Sequence, residues 1–300
     1  MAENEKKTKT ATTKKTATAK STAKKSTAKK STAKSTAKKS ASKKVEPKKS
    51  EREIKQDKAR VQLGISRPVE YYYVVGKTKT NFIEYIDVQQ VLNDKFNGKI
   101  TQMMYFPIAE QSKRIFQLNK MMFERVADDC LKYQKVKFLI QISAKWFATV
   151  RDTQALFDYI SLFGENVILS FDSVTLVKQG PKAKDALKKL SKDYHFKILF
   201  DNVEFQNLSQ LIGYHPDYVR LDARFIDKGD ETYTQVLKFM RDYLKAQGIK
   251  LVVRNIKDEV LKNYFLNNGA DIVEGNGVYT PKKLVTSILK DFKLKDDKKN

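Results

Sequence analysis

Short apolar runs alternate with longer amphipathic segments from Tyr71 almost to the end of the chain. Apolar runs of four to eight residues predict buried strands, and apolar residues spaced three and four apart predict helices. The predicted strands are 71–75, 82–88, 135–142, 166–171, 196–200, 217–221, 249–253 and 270–273. The predicted helices are 110–132, 151–163, 181–193, 204–213, 231–247, 257–268 and 281–292.

This alternation predicts an α/β fold, and its eight strands match the number in a TIM-like (β/α)8 barrel. A doubly wound open sheet is the alternative. No glycine-rich phosphate loop supports the open sheet, because "EGNG" at 274–277 is neither a Walker loop nor a GxGxxG motif. In either fold, functional side chains gather where the strands end. Arg254 follows the apolar run Leu251-Val252-Val253 and therefore stands at such a position.

The first fifty residues differ from the rest of the chain in composition. They hold 17 Lys and 3 Glu, so they contribute +14 of the formal net charge of +24. No aromatic residue precedes Tyr71. Such a segment cannot bury enough apolar surface to offset its conformational entropy. We therefore expect a disordered basic tail and linker at 1–60, a barrel domain at 61–292 and a charged C-terminal tail at 293–300.

A Ser-Thr-Ala-Lys unit repeats through residues 20–44, "KSTAKKSTAKKSTAKSTAKKSASKK". The repeat resembles the lysine- and alanine-rich tails of bacterial linker-histone-like proteins. A polycation of this kind neutralises phosphates without reading sequence. Residues 1–50 are therefore predicted to bind DNA, RNA or another polyanion, which would associate the protein with the nucleoid. A solvated spacer is the alternative interpretation.

Several site classes are disfavoured by the residue inventory. The single cysteine, Cys130, excludes an intrachain disulfide and a metal site built on several thiolates. The two histidines precede predicted strands and so lie away from the strand ends where chemistry gathers. The N-terminus lacks the apolar segment of a secretory signal, and no run is long enough to span a membrane. These features predict a cytoplasmic protein without membrane contact.

Segments of the second half resemble the EAL-domain family of bacterial cyclic-di-GMP phosphodiesterases. "PDYVRLDARFI" is similar to the family's "DYLKID-x-x-F", "GIKLVVRNIKDEV" to "GxxVVAEGVET", and "NNGADIVEGNGVYTP" to "xxGxDxxQGxxxxxP". Fainter matches lie at "YFPIAEQSKRIF", "LIQISAKWF" and "ILFDNVEF". The resemblance spans about residues 70–290 and implies a barrel of the EAL type. It also implies a family chemistry in which acidic side chains hold divalent cations that activate water against a phosphodiester.

At the positions that correspond to the family's site, this sequence has residues of different chemical character. Its leading glutamate falls on Asp87, with Glu84 as the alternative, and Val91 stands where an arginine grips the dinucleotide. Arg220 replaces the family's lysine, and Arg254 replaces a glutamate. The full set of degenerate family-site positions is Asp87, Gln141, Asp172, Asp201, Asn202, Arg220, Asp222, Arg254, Lys257 and Glu274.

The formal charge at these positions disfavours metal-assisted catalysis. The family set is strongly acidic, whereas Asp87, Gln141, Asp172, Asp201, Asn202, Arg220 and Arg254 sum to −1. Two guanidinium groups repel divalent cations, and arginine cannot replace lysine in proton transfer. We therefore expect a catalytically inactive scaffold or binding module with no metal and no cofactor, whose barrel surface meets a protein partner or a second copy.

Two alternatives keep a ligand at the same site. Arg220 and Arg254 are candidate anion-binding residues of a metal-independent cyclic-di-GMP receptor, since guanidinium groups bind phosphate in a bidentate manner. The same two arginines could instead pair with Asp172, Asp201 or Asp222 and neutralise an abandoned site. The other alternative is an active phosphodiesterase with an altered metal shell, built on those three retained aspartates.

Overall fold

Eight strands close into a barrel in the computed structural model, which describes residues 69–94, 98–161, 163–204, 207–226 and 231–292. The predicted basic tail, the start of the predicted barrel domain at 61–68 and the charged segment at 293–300 lie outside the described residues. Among the helices that the structure describes, none is long and apolar enough to cross a membrane.

Strands and helices alternate along the chain after an initial β-hairpin. The strands are β1 (Val69–Thr78), β2 (Ile83–Asp94), β3 (Gly98–Thr101), β4 (Phe138–Ile142), β5 (Val167–Asp172), β6 (Lys197–Asp201), β7 (Tyr218–Asp222), β8 (Lys250–Arg254) and β9 (Ile272–Val273). The helices are α1 (Gln102–Gln111), α2 (Ile115–Lys132), α3 (Val150–Ile160), α4 (Ser173–Lys178), α5 (Pro181–Lys192), α6 (Leu208–Ile212), α7 (Glu231–Ala246), α8 (Glu259–Asn268) and α9 (Val285–Asp291).

The ring closes through β1, which pairs antiparallel with β2 on one side and with β9 on the other. The strands β2 and β4 to β9 run parallel around the remaining circumference, and β3 forms a hairpin with β2 outside the ring. The closed ring confirms the predicted barrel and rules out the open doubly wound sheet. The reversed direction of β1 was not expected from the sequence.

The barrel interior has an apolar lower layer and a charged upper layer. Side chains of a strand alternate between the interior and the helix-covered face, so every second residue points inward. The lower interior layer is Tyr85, Leu139, Ile168, Leu199, Tyr218, Val252 and Ile272. The next inward positions along the parallel strands are Asp87, Gln141, Ser170, Asp201, Arg220, Arg254 and Glu274. The alternation therefore brings most of the candidate site residues into one layer.

Several predicted helices differ from the observed ones. The helix predicted at 110–132 is observed as α2 from Ile115, and α1 ends at Gln111 before a break at Lys113, whose backbone is left-handed with φ of 58°. The helix predicted at 204–213 is α6, of five residues, among its described residues, and the last one begins only at Val285. Three elements were missed: β3, α4 and all but the last two residues of α1. The helix α4 starts directly at the end of β5, where the Asp172 carboxylate accepts a hydrogen bond from Thr175 N at 2.9 Å.

Candidate functional site at the carboxyl end of the barrel

Arg220 occupies the centre of the upper layer and is held by three carboxylates. The strand β7 directs its side chain into the barrel, where only 2% of the residue is exposed. Its Nε and Nη2 donate to the two oxygens of Asp201 at 3.1 and 2.9 Å. Its Nη1 donates to Asp87 at 3.0 Å and to Glu274 at 3.3 Å. All three guanidinium nitrogens of Arg220 thus donate to carboxylates, which come from β2, from β6 and from the residue after β9.

Arg254 lies above Arg220 and shares the same aspartate. Its Nη1 donates to Asp201 Oδ2 at 2.7 Å, and its Nη2 donates to Asn202 Oδ1 at 2.6 Å. Its Nε lies 3.5 Å from Asp222 Oδ2. Because 11% of the Arg254 side chain remains exposed, this is the guanidinium that solvent can reach. Asp201 therefore bridges one fully buried arginine and one partly exposed arginine.

The two remaining aspartates of the site are used by local contacts. Asp172 accepts from the side-chain amide of Asn202 at 2.8 Å while its other oxygen caps the N-terminus of α4. Asp222 accepts from Arg224 Nη2 at 2.6 Å and from Asn255 Nδ2 at 2.8 Å. Asn202 adopts a left-handed backbone with φ of 53°, which asparagine tolerates better than most residues. These bonds fix the rim of the cluster.

The protonation of the cluster follows from burial and from the arginines together. Burial alone would raise the pKa of Asp201, but the positive charges of Arg220 and Arg254 hold that pKa below its usual value. Burial raises the pKa of Glu274 against the opposing charge of Arg220. Burial would lower the pKa of Arg220, yet its three carboxylate partners keep that pKa well above the usual value. Arg220 and Asp201 are therefore ionised partners at neutral pH.

The structure brings some of the predicted site residues into the cluster and places others outside it. Asp87 belongs to the cluster, whereas Glu84 lies at the opposite end of the barrel and accepts from Tyr218 and Lys250. Gln141 is joined to the side chain of Gln102 at 3.2 Å. Lys257 is exposed in the loop after β8 and makes none of the cluster's bonds among the described residues. The geometry therefore assigns the β2 position of the site to Asp87.

Tyr85, Arg224 and Asn255 join the site without having been predicted from the sequence. Tyr85 donates its hydroxyl to Glu274 from the layer below, and burial raises the pKa of this phenol. Tyr85 lies two residues before Asp87, so strand alternation alone would have placed it on the same face. Arg224 and Asn255 each follow a predicted site residue closely, and both bind Asp222. Proximity in sequence was the available signal for these two.

A cleft of about 1380 Å³ opens above the cluster. Asp201, Asn202 and Arg254 line it, whereas Arg220 lies beneath this lining. Its walls add apolar side chains such as Met103, Phe225 and Tyr233, and they add the carboxylates of Glu110 and Glu204. Burial raises the pKa of Glu110. The cleft is thus a mixed apolar and acidic groove whose lining includes two arginines, Arg254 and Arg224.

The donor set at the base of the cleft does not suit a divalent cation. Hard cations need carboxylate oxygens with free lone pairs and no competing positive charge. Both Asp201 oxygens already accept two hydrogen bonds each, from Arg220, Arg254 and the Asn202 backbone. A cation about 4 Å from a guanidinium would be repelled by about 4 kcal/mol per unit charge at an effective dielectric near 20. Within the described ranges, no three Asp, Glu, His or Cys side chains are grouped to hold a metal.

Comparison with known families identifies the barrel. The sequence model of the EAL domain family matches residues 71–281, which is most of the chain. The chain belongs to the EAL domain family. No curated protein sequence resembles it closely enough to count as a match.

Solved EAL structures share the fold at low sequence identity. The EAL enzyme Bd1971, in its cAMP-bound form, is 18% identical, covers 80% of this chain and 71% of its own, and has a TM-score of 0.67. An EAL domain protein from Listeria monocytogenes is 18% identical over 82% of this chain and 99% of its own, with a TM-score of 0.65. The FimX EAL domain from Xanthomonas citri, in complex with c-diGMP, is 15% identical over 78% and 94%, with a TM-score of 0.62.

Proposed function

We propose that this EAL domain is a catalytically inactive binding or scaffold module in bacterial cyclic-di-GMP signalling. The observation that carries the proposal is the double use of Asp201 by Arg220 and Arg254. By resemblance to the EAL family, Arg220 stands where the family has a lysine, and Arg254 stands where it has a metal-binding glutamate. Here they supply the positive charge that cations would otherwise supply, and they fill the coordination sites of the retained aspartate.

The purified protein is expected not to hydrolyse cyclic-di-GMP in the presence of Mg²⁺ or Mn²⁺, because the arginines exclude both metals. Product formation is followed by chromatography over a long incubation, with an active EAL phosphodiesterase as the positive control. Turnover that disappears in an Asp201→Ala variant would contradict the proposal. Turnover that persists in that variant comes from a contaminant.

A metal-independent receptor for cyclic-di-GMP is the second candidate function. A solved EAL domain, FimX from Xanthomonas citri, is described in complex with c-diGMP, which supports this candidate by fold alone. Three features weigh against it. Arg220 is buried under its carboxylate partners, Arg254 is already paired, and Glu110 and Glu204 add negative charge to the cleft. A dianionic ligand would have to displace Asp201 from Arg254.

Titration calorimetry separates the receptor from the scaffold. We expect no saturable heat when cyclic-di-GMP is added to the full-length protein at high micromolar concentration. An Arg254→Gln variant is the matched control, since Arg254 is the arginine paired with Asp201 that lines the cleft, whereas Arg224 lines it from its pair with Asp222. Saturable binding in the unmodified protein that is lost in Arg254→Gln would establish the receptor function.

An active phosphodiesterase with an altered metal shell is the weakest candidate. Its ligands would be Asp172, Asp201 and Asp222. All three accept hydrogen bonds from side-chain nitrogens or from a helix N-terminus. Metal binding would require these bonds to break before any coordination energy is gained.

We also propose that residues 1–50 attach the protein to a polyanion. Their 17 lysines lack arginine and aromatic companions, so they suit phosphate backbones and offer no base stacking or bidentate base recognition. A nucleic acid is the favoured partner, in association with the nucleoid. The basic segment and the barrel are proposed as separate modules, bounded as the composition indicates at about residue 60.

A further inference from the structure

The helix α5 carries a concentration of positive charge that the cleft does not explain. Its twelve residues include five lysines and one aspartate, for a formal charge of +4. The other helices that the structure describes each have a formal charge between −1 and +1. The basic character of the described barrel helices is therefore concentrated on this one element.

All five lysines lie on the exposed side of α5. The opposite side packs into the barrel through Ala183, Ala186, Leu187 and Leu190. The exposed lysines are Lys182, Lys184, Lys188, Lys189 and Lys192. Among the described residues, no carboxylate forms an ion pair with any of them. The five ammonium groups thus have no carboxylate partner in the described barrel, and one of them, that of Lys189, lies 5.0 Å from the centre of the Phe157 ring.

We propose that this lysine face of α5 is a second contact surface for a nucleic-acid phosphate backbone. From Lys182 to Lys192 the helix rises about 15 Å, since each residue adds about 1.5 Å. A duplex carries one phosphate charge per about 1.7 Å of axis, so several phosphates lie within this length. Lysine ammonium groups bind phosphate as point charges and need no fixed geometry.

The composition of the face distinguishes a nucleic acid from the other polyanions. A helix that docks on a membrane surface needs exposed apolar side chains to insert, and every apolar side chain of α5 except Pro181 is buried. Protein interfaces use aromatic and arginine anchors and are depleted in lysine. The exposed face of α5 has no aromatic residue and no arginine. Apart from the exposed Asp185, the charged side chains of this face are lysines, which match a sequence-independent contact to phosphates.

The lysine face of α5 and residues 1–50 are proposed to bind the same class of ligand, through different surfaces. A polyanion held by the basic segment would be present at high effective concentration near α5, because the two are on one chain. The combined contact would be bivalent and would depend on salt more steeply than either contact alone. Each surface can be removed separately without removing the other.

The test measures binding of full-length protein to a labelled 20-base-pair duplex by fluorescence anisotropy at several salt concentrations. One variant replaces all five α5 lysines with Gln. A matched control replaces the same number of exposed lysines elsewhere on the barrel: Lys132, Lys135, Lys238, Lys245 and Lys290. A third variant replaces five lysines within residues 20–44. Urea unfolding confirms that the variants remain folded, and an α5 variant with Arg in place of the five lysines retains the charge.

The α5 Gln variant is expected to lose at least about tenfold in affinity, with a salt dependence shallower by about 0.9 for each phosphate contact removed. The dispersed control should change by less than about threefold, and the α5 Arg variant should bind as the unmodified protein does. Equal losses in the α5 and dispersed variants would overturn the inference, because net charge alone would explain them.

Other outcomes separate this inference from the role of the basic segment. Unchanged binding in the variant of residues 20–44, together with loss in the α5 variant, supports α5 and refutes the basic segment as the attachment point. The converse result overturns the α5 surface and leaves the basic segment. Anionic vesicles or polyglutamate that compete better than the duplex, with competition lost in the α5 variant, would overturn the choice of nucleic acid.

Discussion

Replacing Arg220 with Met is expected to lower the free energy of unfolding by about 3–5 kcal/mol. The substitution leaves Asp87, Asp201 and Glu274 buried without their shared cation. Uncompensated buried carboxylates are far more costly than the loss of one exposed ion pair. Methionine is close to arginine in length and adds no charge, so lost pairing dominates the effect. Urea unfolding at neutral pH measures the change.

The matched control for Arg220 is Arg224→Met. Arg224 also pairs with a buried aspartate, Asp222, but 45% of its side chain is exposed. Its loss is expected to be below about 1 kcal/mol because water reaches that pair. Equal losses in the two variants would contradict the assignment of Arg220 as the neutralising centre of the barrel.

The cost of Arg220→Met should also depend on pH in a defined direction. The arginines hold the folded-state pKa of Asp201 below its usual value against the effect of burial. Stability from a lowered carboxyl pKa is present above the unfolded pKa, near 3.9, and is lost as pH falls through the folded pKa. In the variant this carboxyl can bind a proton instead. The unfolded state is common to both proteins, so the difference in stability should shrink as the pH falls from the higher folded-state pKa of this carboxyl in the variant towards its lowered pKa in the unmodified protein.

Gly275→Ala is expected to destabilise the protein by about 3 kcal/mol, from backbone strain and steric overlap together. Gly275 has φ of +135°, and an added Cβ would lie 2.4 Å from the carbonyl oxygen of Ile256. Ile256 lies in the loop after β8, and Gly275 lies in the loop after β9. These two loops are joined by hydrogen bonds from Ile256 N to Glu274 O and from Gly277 N to Ile256 O, each 2.9 Å. Separating them would disturb Arg254 and Glu274, which adjoin these loops.

Gly248→Ala provides the control for Gly275→Ala. Gly248 also has a positive φ, +73°, but an added Cβ there would meet nothing within 4 Å. This variant measures backbone strain alone and should lose only about 1–2 kcal/mol in urea unfolding. If both variants lost the same amount, the close approach of the two loops at Gly275 would not contribute to stability.

The strands could be predicted from the sequence because their apolar runs are local signals. All eight barrel strands lie where the pattern places them, and their number indicates a closed ring. The direction of β1 could not be predicted, since an apolar run carries no sign of its orientation. The interruption between α1 and α2 could not be predicted either. The helical spacing of apolar residues continues across Lys113, but the backbone of Lys113 is left-handed, with φ of 58°.

The sequence indicated part of the membership of the candidate site, without Tyr85, Arg224 and Asn255, and none of its pairing. Strand ends converge in any parallel barrel, so Asp201, Arg220 and Arg254 were expected to lie together. The sequence treated the two arginines as equivalent. The structure separates them by depth. Arg220 lies beneath the cleft and pairs with Asp87, 133 residues away in the sequence, whereas Arg254 lines the cleft itself. Such long-range partners depend on barrel register, which no local pattern specifies.

We propose that two guanidinium groups take the place of divalent cations at the carboxyl end of this EAL barrel. Titration of the full-length protein with Mn²⁺, followed by calorimetry, tests it most directly. We expect no saturable binding up to about 1 mM, because both oxygens of Asp201 already accept two hydrogen bonds each and two guanidinium groups lie beside them. Saturable Mn²⁺ binding well below that concentration, lost in an Asp201→Asn variant, would contradict the claim.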